Sequence, residues 1–285
     1  MTLWRAPGTD PDEFETLVDG VPPWMERPFS AWLEKQLVYQ RGDGGRILRT
    51  PRVQGFDTLT RRTEPLTQVL EGYGVAGIRH SLSEGELMHF VDYLVHVNAK
   101  ESTGPSQNDQ LETLLKDAGS AWRVGIREGN AGLERRMPEG VQLAAEHSIS
   151  NSGTAGKFLA EAWQDAFGRS PNPESAFVKA IKAVEAAAVP VVCSNDKTAH
   201  FGKVIGQMRR DGNWSLPFDR EHAENPTSGV LLDMCQALWS GHSDRHPGED
   251  YVPTTQTAGE AAVLMAVPLV QWFSSGAVAQ RATPK

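Results

Sequence analysis

The sequence predicts a mainly α-helical protein with one small β-hairpin near residues 121–137. Three observations lead there. Apolar residues recur at three- and four-residue spacing along much of the chain, as in Leu87, Phe90, Val91 and Leu94. Helix starts carry capping signatures, Ser83 with Glu86 and Thr257 with Glu260. Strict alternation is confined to residues 121–137, where Trp122, Val124 and Ile126 alternate with polar residues, EGNAG turns the chain and LERRM returns.

The elements follow in order. A first helix starts near Pro28, a residue suited to a first helical position, with Phe29, Trp32, Leu33 and Leu37 on one face. RGDGGR ends it. Residues 46–62 hold Arg46, Arg49, Arg52, Arg61 and Arg62 and read as a solvated loop. Ser83 to Val97 forms the next helix; its other side carries His89, Asp92 and His96, a polar face and a weak metal candidate. ESTGPSQNDQ, Glu101 to Gln110, reads as a linker before a short helix to Lys116.

Beyond the hairpin the pattern is helical again from Pro138. Phe158, Leu159, Ala162, Trp163 and Ala166 share a face that Gly168 stops. After RSPNP, a helix from Glu174 runs to Pro190, and another spans roughly Thr198 to Arg210 before DGNW. A polar loop over 215–228 leads to a helix from Gly229 to Trp239. The last helix opens at Thr257 and closes at Gly276. Three regions result: 1–105, helical and of unassigned role; 106–150, a hairpin-containing connector; and 151–285, a helical bundle.

A formal net charge of −8 argues against a generally basic, nucleic-acid-coating surface but leaves room for a local patch. The one clear basic stretch, residues 197–210, holds Lys197, Lys203, Arg209 and Arg210 and no acid. Cys193 and Cys235 stand in apolar settings, as buried thiols of a reducing compartment would. The opening MTLWRAPGTDPDEFE does not read as a signal peptide, and the apolar run Ala261 to Phe273 is too short for a span and is interrupted by Pro268. A soluble cytoplasmic protein is expected, with no membrane partner.

The densest chemistry lies in HSDRHPG, His242 to Gly248. Arg245 offers a planar fork of donors for phosphate, His246 exchanges a proton near neutral pH, and Asp244 could orient either. Ribonucleolytic cleavage needs such groups: a base for the 2′-hydroxyl, an acid for the leaving oxygen and a cation for the phosphorane. The bland reading is a polar corner with Arg245 paired to an acid. Glu185, at the edge of an apolar helix face, would hold Arg245 or serve a plain ion pair. Lys203, Arg209 and Arg210 would hold RNA backbone, or merely complement a helix C-terminus. His242 and His246, with His222, have a spacing zinc could use on a helix, but Pro247 and Gly248 favour a loop. There is no P-loop, Rossmann fingerprint, HExxH or GxSxG, so neither a cofactor nor a metal is expected.

The order AIKAVEAAAVPVV, FGKVIGQM, the Arg-His segment and an apolar closing helix resembles the C-terminal region of bacterial abortive-infection proteins with a HEPN-like domain. The preceding AWRV…GLERRM hairpin and AWQDAFGRSPNPESA resemble them too, so the likeness covers roughly residues 106–280. It implies a helical bundle that forms a homodimer, an antiphage or toxin-type endoribonuclease that works without a metal, and a phage or host protein as trigger. Carried over, the family's Arg and His fall on Arg245 and His246, and its Glu on Glu185. The family separates Arg and His by several residues, whereas here they are adjacent. That departure keeps a second reading open, a non-catalytic HEPN-like sensing and dimerisation module.

Overall fold

The structure, a computed structural model, describes residues 16–101, 104–127, 130–242 and 253–281. Mainly helical, as expected, it holds eleven α-helices and three two-stranded antiparallel sheets among these residues. It divides into two compact units, Met1–Arg136 and Met137–Lys285.

The first unit contains α1 (Glu26–Leu37), β1 (Val38–Gln40), β2 (Arg46–Leu48), α2 (Thr50–Thr60), α3 (Leu66–Ser81), α4 (Glu84–Asn98), α5 (Gly104–Asp117), β3 (Trp122–Arg127) and β4 (Asn130–Arg135). The predicted face of α1 is buried, and Pro28 sits in its first turn, where no intrahelical N–H bond is lost. The Ser83–Glu86 capping box opens α4 as read from the sequence. Phe90 of α4 meets Phe56 of α2 edge to face at 5.0 Å, each such ring burying ~2 kcal/mol of apolar surface.

The Arg-rich segment is not a solvated loop. RGDGGR turns a short hairpin that pairs Tyr39 with Ile47, and Pro51 starts a helix that buries Arg52 to 8% exposure. The Arg52 guanidinium donates to the Gln36 carbonyl at 3.0 Å and to Asn98 Oδ1 at 2.5 Å, and meets Glu101 at 3.2 Å. Burial pulls its pKa below the ordinary arginine value, against the opposing pull of Glu101.

The expected linker at 101–110 is also mostly helix, since α5 starts at Gly104. One of its polar residues, Asn108, faces inward and is satisfied there. Asn98 donates to Asn108 at 3.0 Å, Asn108 to the Val95 carbonyl at 3.0 Å, and the Trp32 indole to the Gln107 carbonyl at 2.9 Å.

The hairpin β3–β4 forms as predicted, with Trp122 opposite Arg135 and Gly125 opposite Gly132. Trp122 and Leu133 are buried in the first unit's core, so the hairpin belongs there. Carboxylates hold its backbone: Asp92 accepts the Leu133 N–H at 2.6 Å, and Glu112 the Val124 N–H at 2.7 Å. That is the role found for Asp92 of the His89–Asp92–His96 face. Among the described residues no group of His, Cys, Asp or Glu is placed to hold a metal.

The second unit contains α6 (Glu139–Asn151), α7 (Gly153–Phe167), α8 (Pro173–Val192), α9 (Phe201–Asp211), β5 (Trp214–Ser215), α10 (Thr227–Ser240), α11 (Gln256–Ser274) and β6 (Ala279–Gln280). Residues 106–150 thus form no connector of their own. The boundary falls at 136/137 because the hairpin packs into one core, while Ala145 of α6 packs into the other.

At the centre of this bundle, α8 packs against α7, α9 and α11. Buried Ala176, Ala180, Ala183 and Ala187 give it narrow faces that let its neighbours approach. Gly259 on α11 is one such approach, where a Cβ would stand 2.9 Å from Pro173. Pro190 does not end α8, which continues to Val192; the proline is itself exposed and lies in the last turn, where it forfeits one backbone bond. The cap of α11 is Thr255, accepting from the Ala258 N–H, rather than Thr257; Glu260 bonds Gln256 instead. Among the described residues, no helix is long and apolar enough to cross a membrane.

Candidate functional site

The site is built on α9 and the turn before it. After α8 ends, Asp196 accepts from both the Thr198 backbone N–H and its hydroxyl at 2.8 Å, a tight local turn. α9 opens at Phe201, three residues later than the sequence indicated, and Gly212 closes it with φ 67°. Phe201, Val204, Ile205 and Met208 are buried, so the opposite face, with Gly202, Lys203, Gly206 and Arg210, is left to the surface.

Glu185 fixes where α9 begins. Its Oε2 accepts the Phe201 N–H at 2.8 Å, and so caps the helix from α8, with its negative charge at the positive end of the helix dipole. The residue preceding the helix, His200, provides no side-chain cap of its own. Among the described residues Glu185 makes no ion pair, and its partner is a backbone amide rather than a guanidinium.

That face of α9 forms one wall of a surface cleft of ≈ 850 Å³. The end of α8 and the following turn, Cys193 to Asp196, form a second side, and Trp239 of α10 a third. His200 stacks on Trp239 with centroids 6.2 Å apart and planes 26° apart, and Phe201 meets the same indole edge-on at 5.8 Å.

The predicted cations separate here. Lys203 and Arg210 line the cleft. Arg209 does not; it donates to Gln236 of α10 at 2.8 Å and ties the two helices together. Lys203 Nζ lies 2.9 Å from Asp196 and 2.8 Å from the Thr198 hydroxyl, while Arg210 donates to Gln207 at 2.6 Å. The Lys203 ammonium, with the Thr198 donors, draws the Asp196 carboxyl down to about 2. Among the described residues of the lining, Lys203, Arg210 and Asp196 sum to a formal +1.

No family model, curated protein or solved structure matches the chain.

Neither cysteine is in a disulfide; Cys235 is buried as expected, while Cys193 is only half-buried. Burial and the nearby Asp196 push the Cys193 thiol up, and burial pushes Cys235 up to about 12. His242 packs on Phe177 at 5.4 Å. Asp244, Arg245 and His246 lie outside the described residues. The sequence reading did not single out His200, Trp239, Gly202 or Gly206. The glycines, four apart on the polar face of FGKVIGQMRR, were the available signal; Trp239 read as core.

Proposed function

We propose that the second unit binds RNA in this cleft and belongs to an antiphage, abortive-infection or toxin-type endoribonuclease that works without a metal. One observation carries the binding half: Lys203 and Arg210 converge on a cleft with an aromatic wall, the pairing of charge and π-surface that nucleic acid uses. The catalytic half rests on the sequence. Helix α10, which brings Trp239 to the cleft, ends at Ser240, and Asp244, Arg245 and His246 follow within six residues.

In this reading His246 takes the 2′-hydroxyl proton, and the 2′-oxygen attacks phosphorus to form a cyclic phosphodiester. Arg245 steadies the charge on the phosphorane. The bond to the 5′-oxygen breaks, and that oxygen leaves with a proton from a second acid, supplied by the other copy in a homodimer. Glu185 positions α9 and takes no part in proton transfer. A HEPN-like bundle, a cytoplasmic location and a phage or host protein as trigger belong to the same proposal.

Incubation with total tRNA in EDTA tests it. The parent should cleave, and Arg245→Ala and His246→Ala should not; variants that cleave as well as the parent end the enzyme reading. The alternative is a non-catalytic HEPN-like sensing and dimerisation module. The adjacency of Arg245 and His246, and the engagement of Glu185 as a helix cap, favour it. An inert dimer in light scattering that still binds RNA supports this second reading, and a cleaving protein removes it.

A further inference from the structure

We infer that the cleft takes an unpaired nucleotide, its base laid over the glycine face of α9 against the His200–Trp239 wall and its phosphate held by Lys203 and Arg210. The inference rests on the RNA reading above and narrows it to single strands. Three features of one helix face carry it.

The first is the floor. Gly202 and Gly206 lie one turn apart and both line the cleft. With no Cβ at Gly206, a flat ring can reach the helix backbone there. The second is the asymmetry between them. A Cβ at Gly202 would stand 3.0 Å from Trp239 and 3.1 Å from His200, so the aromatic pair closes directly over that glycine. A Cβ at Gly206 would meet only Arg210, at 3.5 Å, so the space over this glycine is open. The third is the cation: Arg210 lies one turn beyond Gly206, and its side chain folds back so that a guanidinium nitrogen borders that glycine. The aromatic wall thus covers Gly202, and the guanidinium borders the open floor at Gly206.

An anion with a flat base at one end and a phosphate at the other matches that arrangement. In a duplex the faces of the bases are covered by their neighbours and cannot reach such a floor, whereas an unpaired base can add to the His200–Trp239 pair as a further layer. A lining of only +1 is weak for binding by charge alone, so stacking has to contribute to affinity.

Fluorescence anisotropy on the full chain tests this, with a labelled single-stranded RNA decamer and the same sequence as a duplex. The single strand should bind at least roughly tenfold tighter. Gly206→Leu fills the floor without entering the core and replaces a poor helix former, so it should weaken single-strand binding by roughly tenfold or more while the melting temperature holds or rises. Trp239→Ala should lose roughly tenfold, and Trp239→Phe should recover most of the loss. Equal binding of duplex and single strand, or a Gly206→Leu protein that binds like the parent, overturns the inference while leaving RNA binding intact. If no RNA binds at all, the RNA reading falls, and equilibrium dialysis with millimolar AMP then decides the pocket. AMP retained by the parent and lost in Gly206→Leu upholds the nucleotide site; AMP retained by neither overturns it.

Discussion

The imidazole of His200 lies against the indole of Trp239, 6.2 Å between centroids, and so joins the residue before α9 to the last turn of α10. Glu185, from α8, bonds the amide of the next residue, Phe201. Three helices thus fix one corner, and the cleft opens beside it.

Among the described residues Asp196 is the only carboxylate in the lining, and it sits on Lys203. Asp196→Asn should therefore tighten RNA binding severalfold at low salt, and steepen the salt dependence of log K by up to ~0.7, the slope for one more phosphate contact on a single strand. The pH behaviour follows from its depressed pKa. What the contact adds to stability is present above the ordinary carboxyl value of 3.8 and lost as pH falls through about 2. Titration of Asp196 should thus leave affinity flat between pH 5 and 8. Anisotropy titrations at several salt concentrations and pH values check both points, and an Asp196→Asn protein with weaker binding contradicts them.

The thiols provide a built-in reporter. Cys193 lines the cleft with its pKa raised, and Cys235 is buried with a pKa of about 12. Alkylation of the native protein near neutral pH should label Cys193 slowly, speed up as pH rises, and spare Cys235. Saturating single-stranded RNA should slow the Cys193 reaction severalfold. Peptide mass spectrometry over a time course reads both; labelling of Cys193 indifferent to RNA counts against occupancy of the cleft.

Glu185 should behave as a structural cap. Glu185→Ala leaves the Phe201 N–H without its acceptor and should cost about 1–2 kcal/mol in denaturant unfolding. Glu185→Gln keeps an acceptor oxygen and should cost less than about 1 kcal/mol, mainly the lost charge at the helix N-terminus. RNA cleavage should survive in the Gln variant. A Gln variant that folds normally but does not cleave would restore Glu185 to the chemistry.

Arg52 and Arg49 should differ widely in cost, though only three residues apart. Arg52→Ala strips Asn98 and Gln36 of a buried donor and should cost about 3 kcal/mol. Arg49, partly exposed and 3.7 Å from Glu101, should cost under about 0.5 kcal/mol. Paired unfolding curves settle the contrast, and equal losses would show that the polar network does not hold α1, α2 and α4 together.

That contrast also shows where sequence reading stops. The α4 cap and the β3–β4 alternation are local patterns, complete within a few residues, and both were legible. The burial of Arg52 was not, because its partners Gln36 and Asn98 lie far away in sequence and only the tertiary fold makes the segment dry. Strands β1 and β2 are three residues each, too short for alternation to register. Asn108 read as linker because its composition is polar, yet those polar atoms satisfy one another inside.

The site divides in the same way. Lys203 and Arg210 stand out in FGKVIGQMRR, and α9 presents them as that pattern implies. Arg209 shares the pattern but points at Gln236, a distinction that one residue of helical rotation makes and composition cannot. The aromatic wall was hidden because Trp239 comes from another helix, in a run that reads as core.

The most direct measurement is the salt dependence of single-stranded RNA binding for the parent chain and for Lys203→Ala/Arg210→Ala. The double variant should bind at least roughly tenfold more weakly near 0.1 M salt, with a log–log slope shallower by ~1.4, while its melting curve is unchanged. A double variant that matches the parent in affinity and slope would show that RNA, if bound at all, is held elsewhere.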